Sequence, residues 1–214
     1  MQRRGFLAGG ATLAMAAIIP SGALGAERAQ RRFRVLRDGD DIGIHTLSAT
    51  LDDRGFTMEI KIEIAVKILG ITAYRYNLLN RERWRNGRIV EVDSRVFDDG
   101  VDDFCKIVQQ DGELAISGSR FTGKAPIDAV TTSYYHPDFI GRRPWISTQS
   151  GAILDIQIEE VAPRVHQVTG ELTTRLTYDD RGEWVNVNFD AGGDPGTYEL
   201  ISETGLISPL WSEA

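Results

Sequence analysis

The chain has 214 residues, 42% of them hydrophobic and 26% charged, with a formal net charge of −7. Those values exclude disordered and collagen-like chains, and a single cysteine excludes an internal disulfide framework. The acidic balance lacks the cationic surface that phosphate-backbone binding needs, so no nucleic-acid partner is expected.

Met1-Gln2-Arg3-Arg4-Gly5-Phe6-Leu7 opens the chain, an apolar stretch runs from Ala8 to Ile19, and Pro20 to Ala26 brings small residues. A positive start, a short apolar run and small residues at a cleavage point define an export leader. The run is about 12 residues long, short of the roughly 20 that span a bilayer. Paired arginines before Phe6-Leu7 resemble the twin-arginine export signal, an address read by a receptor and not an anchor. Residues 1–25 are expected to be removed, with cleavage between Ala23 and Ala26, leaving one domain over 26–214. Losing Arg3 and Arg4 leaves 22 basic against 31 acidic residues, a formal charge of −9. The twin-arginine export machinery is thus the expected partner during secretion, and the periplasm the expected location. Cys105 lies far from the cleavage point, so neither lipidation nor a permanent membrane anchor is expected. Folded export does not by itself require a cofactor, and none is predicted.

From Arg32 onward the dominant signal has period two. Phe56, Met58, Ile60, Ile62, Ile64, Val66 and Ile68 alternate with Thr57, Glu59, Lys61, Glu63, Ala65 and Lys67. A helix would scatter the apolar residues around its surface, whereas a strand puts them all on one face. Such a strand is about 43 Å long, near twice the usual length. It must twist and coil, as in a barrel or a curved half-barrel.

Further strands are predicted at 32–38, 41–51, 71–84, 88–97, 102–110, 113–118, 152–161, 165–178, 183–190 and 197–202. Turn signals separate them: Asp38-Gly39, Arg54-Gly55, Asn86-Gly87, Asp99-Gly100, Asp111-Gly112, Arg181-Gly182 and Gly192-Gly193. Glycine and asparagine tolerate the positive φ of tight hairpins, and Asn-Gly is the strongest of these signals. No βαβ alternation is visible, and short connections favour an antiparallel meander. The predicted fold class is all-β: a single-domain curved antiparallel meander forming a barrel or half-barrel. Only Phe121 to Ser150 breaks the rhythm, with Pro126, Pro137, Pro144 and His136. A loop of that length is often functional, and a short helix is predicted within it around Ile127–Ser133.

Chemistry-bearing residues are few. His45 falls in phase with Gly43 and Leu47 on a strand, His136 sits in the long loop, and His166 is expected on an exposed or edge strand. No H-x-x-H, H-E-x-x-H or C-x-x-C spacing occurs, so hydrogen-bonded histidines at the sheet rim are favoured over a zinc site. Gly-x-Ser-x-Gly is absent. Cys105 is in phase with Ile107 and is read as a small buried hydrophobe. Ser133 and His136 are close in sequence, but proximity alone supplies no nucleophile–base geometry.

The aromatics say more. Tyr74 and Tyr76 share one face of the strand after the isoleucine-rich one, and Trp84 closes it. Such residues pair a large apolar area with a polar tip, which suits the wall or mouth of a cavity, although a plain core needs them too.

Several short motifs, in order, carry a resemblance. They are Phe33-x-Val35, Ile42-Gly43-x-His45, Leu69-Gly70-Ile71, Tyr74-Arg75-Tyr76, Glu82-x-Trp84-x-Asn86-Gly87-Arg88, Thr132-Ser133-Tyr134-Tyr135 and Thr148-Gln149-Ser150-Gly151. Together they resemble a family of exported bacterial proteins of unknown function, over most of residues 32–202. That family is similar to periplasmic open β-barrels of the lipoprotein-carrier and envelope-integrity kinds. The resemblance implies a fold and a compartment and carries over no catalytic residue. Envelope-integrity relatives can contain a disulfide, and a lone Cys105 departs from that pattern.

Three readings follow. The first is non-catalytic binding of an apolar or amphipathic envelope molecule, such as a lipid, by Met58, Ile60, Ile62, Ile64, Tyr74, Tyr76, Trp84, His45 and His136, under the 121–150 loop. The second is a hydrolase or isomerase using His45 or His136 as general acid/base. The third is a structural or partner-binding envelope protein with a fully packed interior. Whether the concave face of the long strand is filled or open separates them.

Overall fold

Asn86-Gly87 shows how the chain turns: both residues are left-handed, with φ of 52° and 65°. Asp38-Gly39, Asp99-Gly100 and Asp111-Gly112 repeat this geometry, so four hairpins are closed by two-residue turns whose twist matches that of the flanking strands. The computed structural model describes residues 26–68 and 70–213. The expected leader, residues 1–25, lies outside the described residues, as does Leu69.

Eight strands come first: β1 (Glu27–Arg37), β2 (Asp40–Asp52), β3 (Gly55–Ile68), β4 (Ile71–Arg85), β5 (Arg88–Asp98), β6 (Val101–Gln110), β7 (Glu113–Gly118) and β8 (Thr122–Pro126). A crossing segment follows with three two-residue strands, β9 (Val130–Thr131), β10 (Trp145–Ile146) and β11 (Ile153–Leu154), and a 3₁₀ turn at Pro137–Phe139. Five more strands complete the sheet: β12 (Ile156–Ala162), β13 (Val165–Gly170), β14 (Thr174–Tyr178), β15 (Trp184–Asp190) and β16 (Pro195–Thr204). A short helix, α1 (Ile207–Ser212), ends the described chain.

β16 pairs with β1, so the two meanders join into one 13-stranded antiparallel sheet running β12-β13-β14-β15-β16-β1-β2-β3-β4-β5-β6-β7-β8. Its ends, β8 and β12, do not pair, and the sheet is not closed. The segment from 127 to 155 joins those two edges. The fold class expected from the sequence holds, in its open form.

Three local expectations are corrected. The helix predicted at Ile127–Ser133 is absent, because Val130 and Thr131 form β9, parallel to Trp145 and Ile146 of β10. The predicted strand 165–178 is a hairpin: Gly170 has a φ of 108°, and the chain reverses over residues 171–173 between β13 and β14. The predicted strand 152–161 divides into β11 and β12, which belong to different sheets. β8 and α1 had no counterpart in the sequence reading.

Successive turns of a meander lie at alternate ends of its sheet. The end carrying Asp38-Gly39, Asp99-Gly100, residues 119–121 and residues 171–173 is here called the upper end. The end carrying Asp53-Arg54, Asn86-Gly87 and Asp111-Gly112 is the lower.

The lower half of the concave face is packed with aromatic rings. Phe56 and Trp84 meet Trp211 of α1 at centroid distances of 5.5 and 5.0 Å, and Trp84 meets Phe139 at 5.3 Å. α1 is pinned there by polar contacts. Trp211 Nε1 donates to Asp138 at 3.0 Å, and the Ser208 amide donates to Glu183 Oε1 at 2.7 Å. Buried Arg31 pairs with both Glu183 and Glu203, tying the helix entry to β1. On the convex face the charges sit in exposed pairs such as Arg83–Glu91 and Lys61–Glu63, which contribute little individually.

Candidate functional site

The inward row Phe56, Met58, Ile60, Ile62, Ile64 of β3 lies opposite Trp84, Glu82, Asn80, Leu78, Tyr76 of β4. Phe56, Met58 and Ile60 are buried, Phe56 under Tyr135 and Trp211, whereas Ile62 and Ile64 are only half-buried. Cover is therefore lost midway along a single strand. There, in the upper half, lies a cavity of about 450 Å³.

One wall is Ile62, Tyr76 and Leu78; the opposite one is Thr132, Tyr134, residues 147–150, Ala152 and Leu154. Arg120, Glu171 and Leu172 complete it from the turns at the upper end. The apolar wall follows from the period-two pattern of β3 and β4. The polar wall follows from the way residues 147–151 cross β7. The Arg120 amide donates to the Ser150 carbonyl at 3.0 Å, and Gly118 faces Ser150 and Gly151 so closely that any side chain there would collide with backbone. The Thr148 amide donates to Thr132 Oγ1 at 3.0 Å, and Gln149 Nε2 reaches Asp98 at 3.5 Å. Burial pushes the Tyr134 phenol up to about 12 and raises that of Tyr76, so both are neutral groups at ordinary pH.

Of the residues singled out in the sequence, Ile62 and Tyr76 line this cavity. Ile64 is half-buried just above them, and Tyr74 turns its hydroxyl to Asp98 at 2.8 Å. Met58, Ile60 and Trp84 belong to the filled lower core: all three are buried, and Phe139 and Trp211 stand against Trp84. His45 is buried beside Phe33, Trp184 and Tyr198, at 6.2, 5.4 and 5.2 Å between centroids. Desolvation pushes its pKa down to about 3. His136 lies with Trp211 at 5.6 Å, and its Nδ1 accepts from the Asp138 amide, capping the 3₁₀ turn. The two histidines thus join separate aromatic groups.

Ser133 does not face His136 as a nucleophile would; it donates to Glu82 at 3.1 Å. Cys105 is the small buried hydrophobe expected, and burial pushes its thiol up to about 12. His166 is half-buried on β13, one strand in from the edge, rather than exposed.

Sequence reasoning missed Glu82. Its carboxyl is fully buried, with Asn80 Nδ2 donating to Oε1 at 2.9 Å, and Trp84 Nε1 and Ser133 Oγ reaching Oε2. The Thr131 hydroxyl lies 2.5 Å from that of Ser133. Desolvation raises its pKa against these hydrogen bonds, and no salt bridge reaches it among the described residues. The signal was present: Asn80, Glu82 and Trp84 share the inward phase of Leu78, so an acid sat in a core register.

A crystal structure of a β-barrel-like protein of domain of unknown function DUF1849 from Brucella abortus is similar in fold. The TM-score is 0.50 at 9% identity, over 83% of this chain and 96% of that one. At that identity the likeness concerns the fold alone. No curated protein matches the chain. A family model described as a domain of unknown function, DUF6134, matches residues 33–201, from β1 to β16 and including every wall of the cavity. The chain belongs to the DUF6134 family.

Proposed function

We propose that this protein is exported and binds an apolar or amphipathic envelope molecule in the upper half of its half-barrel, without chemical conversion. The observation that carries the reading is the open cavity of about 450 Å³, within the size range of small-molecule sites. Its walls are of the right kind. Ile62, Leu78, Leu154 and Leu172 supply apolar area worth about 25 cal/mol per Å² buried, and Thr132, Thr148 and Gln149 supply groups to orient a polar end. The twin-arginine-type leader supports a periplasmic site of action. The histidine-based catalytic alternative has less support, because neither His45 nor His136 is among the residues that line the cavity.

Native mass spectrometry on protein purified from the periplasm without detergent is expected to retain a lipid-sized adduct. Ile62→Trp, which fills the cavity from its apolar wall, should remove the adduct and weaken binding of a fluorescent apolar probe at least about tenfold, with the near-ultraviolet dichroism of the fold retained. Wild-type protein that carries no adduct and ignores such probes would overturn the reading.

A further inference from the structure

Polar atoms buried in a core cost free energy unless they find a hydrogen-bond partner, so an unpartnered group calls for an explanation. Three of them meet at one place in the upper half of the concave face. His45 Nδ1, His45 Nε2 and Trp184 Nε1 are all buried and, among the described residues, all without a partner. The two rings are 5.4 Å apart, in a nest with Phe33 and Tyr198.

This nest adjoins the cavity. Phe33, His45, Ile62 and Leu78 form one continuous inward row across β1 to β4, since each is the register partner of the next. Ile62 and Leu78 already line the cavity, and His45 is the next residue along. Tyr134 lines the cavity too, and its ring stands edge-on to Trp184 at 5.7 Å. It therefore forms the partition between cavity and nest. Tyr134 is held at a φ of 32°, in the left-handed region that a bulky residue seldom adopts, and its carbonyl is fixed by the Tyr178 hydroxyl at 2.7 Å.

Resting on the binding reading above, we propose that the ligand carries one uncharged hydroxyl-type end, which passes Tyr134 and hydrogen-bonds to Trp184 Nε1 and His45. The chemistry of the nest selects that class. Trp184 can only donate, whereas a neutral imidazole has one donor and one acceptor. A group that both donates and accepts, on an apolar body, answers Trp184 Nε1 and one of the two imidazole nitrogens: a long-chain or isoprenoid alcohol. Burial keeps His45 neutral, so it offers no charge to a carboxylate or phosphate. Arg31, the buried cation beside Phe33, has its charge balanced by Glu183 and Glu203 through Nη1, while its Nε and Nη2 are also unpartnered among the described residues.

The test compares dodecanol, dodecane and laurate as competitors of a fluorescent apolar probe, on the exported protein and on its Trp184→Phe and His45→Phe variants. Both substitutions keep an aromatic ring in the nest and remove the unpartnered nitrogens. For wild type, dodecanol should compete at least about tenfold better than dodecane or laurate at neutral pH. Each variant should weaken dodecanol about five- to tenfold and leave dodecane unchanged. Dodecanol should also change the tryptophan emission of wild type and not that of Trp184→Phe. Alcohol and alkane binding wild type equally, or alcohol binding both variants as tightly as wild type, would overturn the inference and leave the cavity reading intact. No competition by any of the three in wild type would overturn both.

Discussion

One strand runs through two different environments. In its lower half, β3 buries Phe56, Met58 and Ile60, with Phe56 against rings of the crossing segment and α1. In its upper half the same alternation continues through Ile62 and Ile64, yet the cover withdraws and a cavity replaces it. The pattern of β3 is identical in both halves; what differs is the partner. α1 reaches only the lower end, and residues 147–154 cross the upper end with hydroxyls and amides where Tyr135 and Phe139 stood below. The distinction between a core and a site therefore lies in the covering segment and not in the strand.

The largest test of that contrast is a pair of truncations on one ridge. Met58→Ala deletes a side chain enclosed on all sides, and should cost about 2–5 kcal/mol in urea unfolding, transfer and cavity terms together. Ile64→Ala deletes a half-buried one at the margin of the core, so its cost should stay below about 1.5 kcal/mol. Equal costs would mean that the upper half is packed like the lower one, and the division drawn above would collapse.

How far the sequence shows this division is instructive. The alternation from Phe56 to Ile68 and the Asp-Gly and Asn-Gly turns are local properties of the chain, so strands, hairpins and a curved antiparallel sheet were legible, but not whether that sheet closes. So was the membership of Ile62 and Tyr76 in an inward row. The covering of that row depends on contacts between residues far apart in sequence: Trp211 on Trp84, Tyr135 on Phe56, Gly151 on Gly118. No periodicity records them, and hence Met58, Ile60 and Trp84 could not be told from Ile62. The predicted helix at Ile127–Ser133 failed for the same reason, since β9 exists only because Trp145 and Ile146 lie beside it. Glu82 is the opposite case: its inward phase was visible, but an acid in that register was passed over beside so regular an apolar pattern.

Titration should separate the halves by sign. His45, in the upper half, has a folded pKa of about 3 against 6.5 for a free imidazole. The unfolded chain therefore binds the proton more readily, and the contribution of neutral His45 is complete above pH 6.5 and lost as pH falls toward 3. By pH 5 wild type should have lost about 2 kcal/mol that His45→Phe does not lose. Parallel stability profiles for the two proteins between pH 7 and 5 would show that the imidazole reaches solvent and that the nest is not closed.

Glu82, in the lower half, works the other way. Its folded pKa is raised above the ordinary 4.5, so the folded state favours the protonated acid. That contribution is complete below pH 4.5 and declines as pH rises through the folded value. Glu82→Gln keeps the shape and removes the buried charge. Asn80 can accommodate the change, because its Oδ1 is unpartnered and becomes available to the new amide when the side chain rotates. The variant should therefore gain on wild type with rising pH, and the difference should flatten below pH 4.5. Stability curves of wild type and variant, measured by urea unfolding from pH 4 to 8, decide it. A gap that stays constant over that range would mean that Glu82 does not change its charge there, and that Asn80, Trp84 and Ser133 hold a carboxylate in the packed half at no cost that protons can relieve.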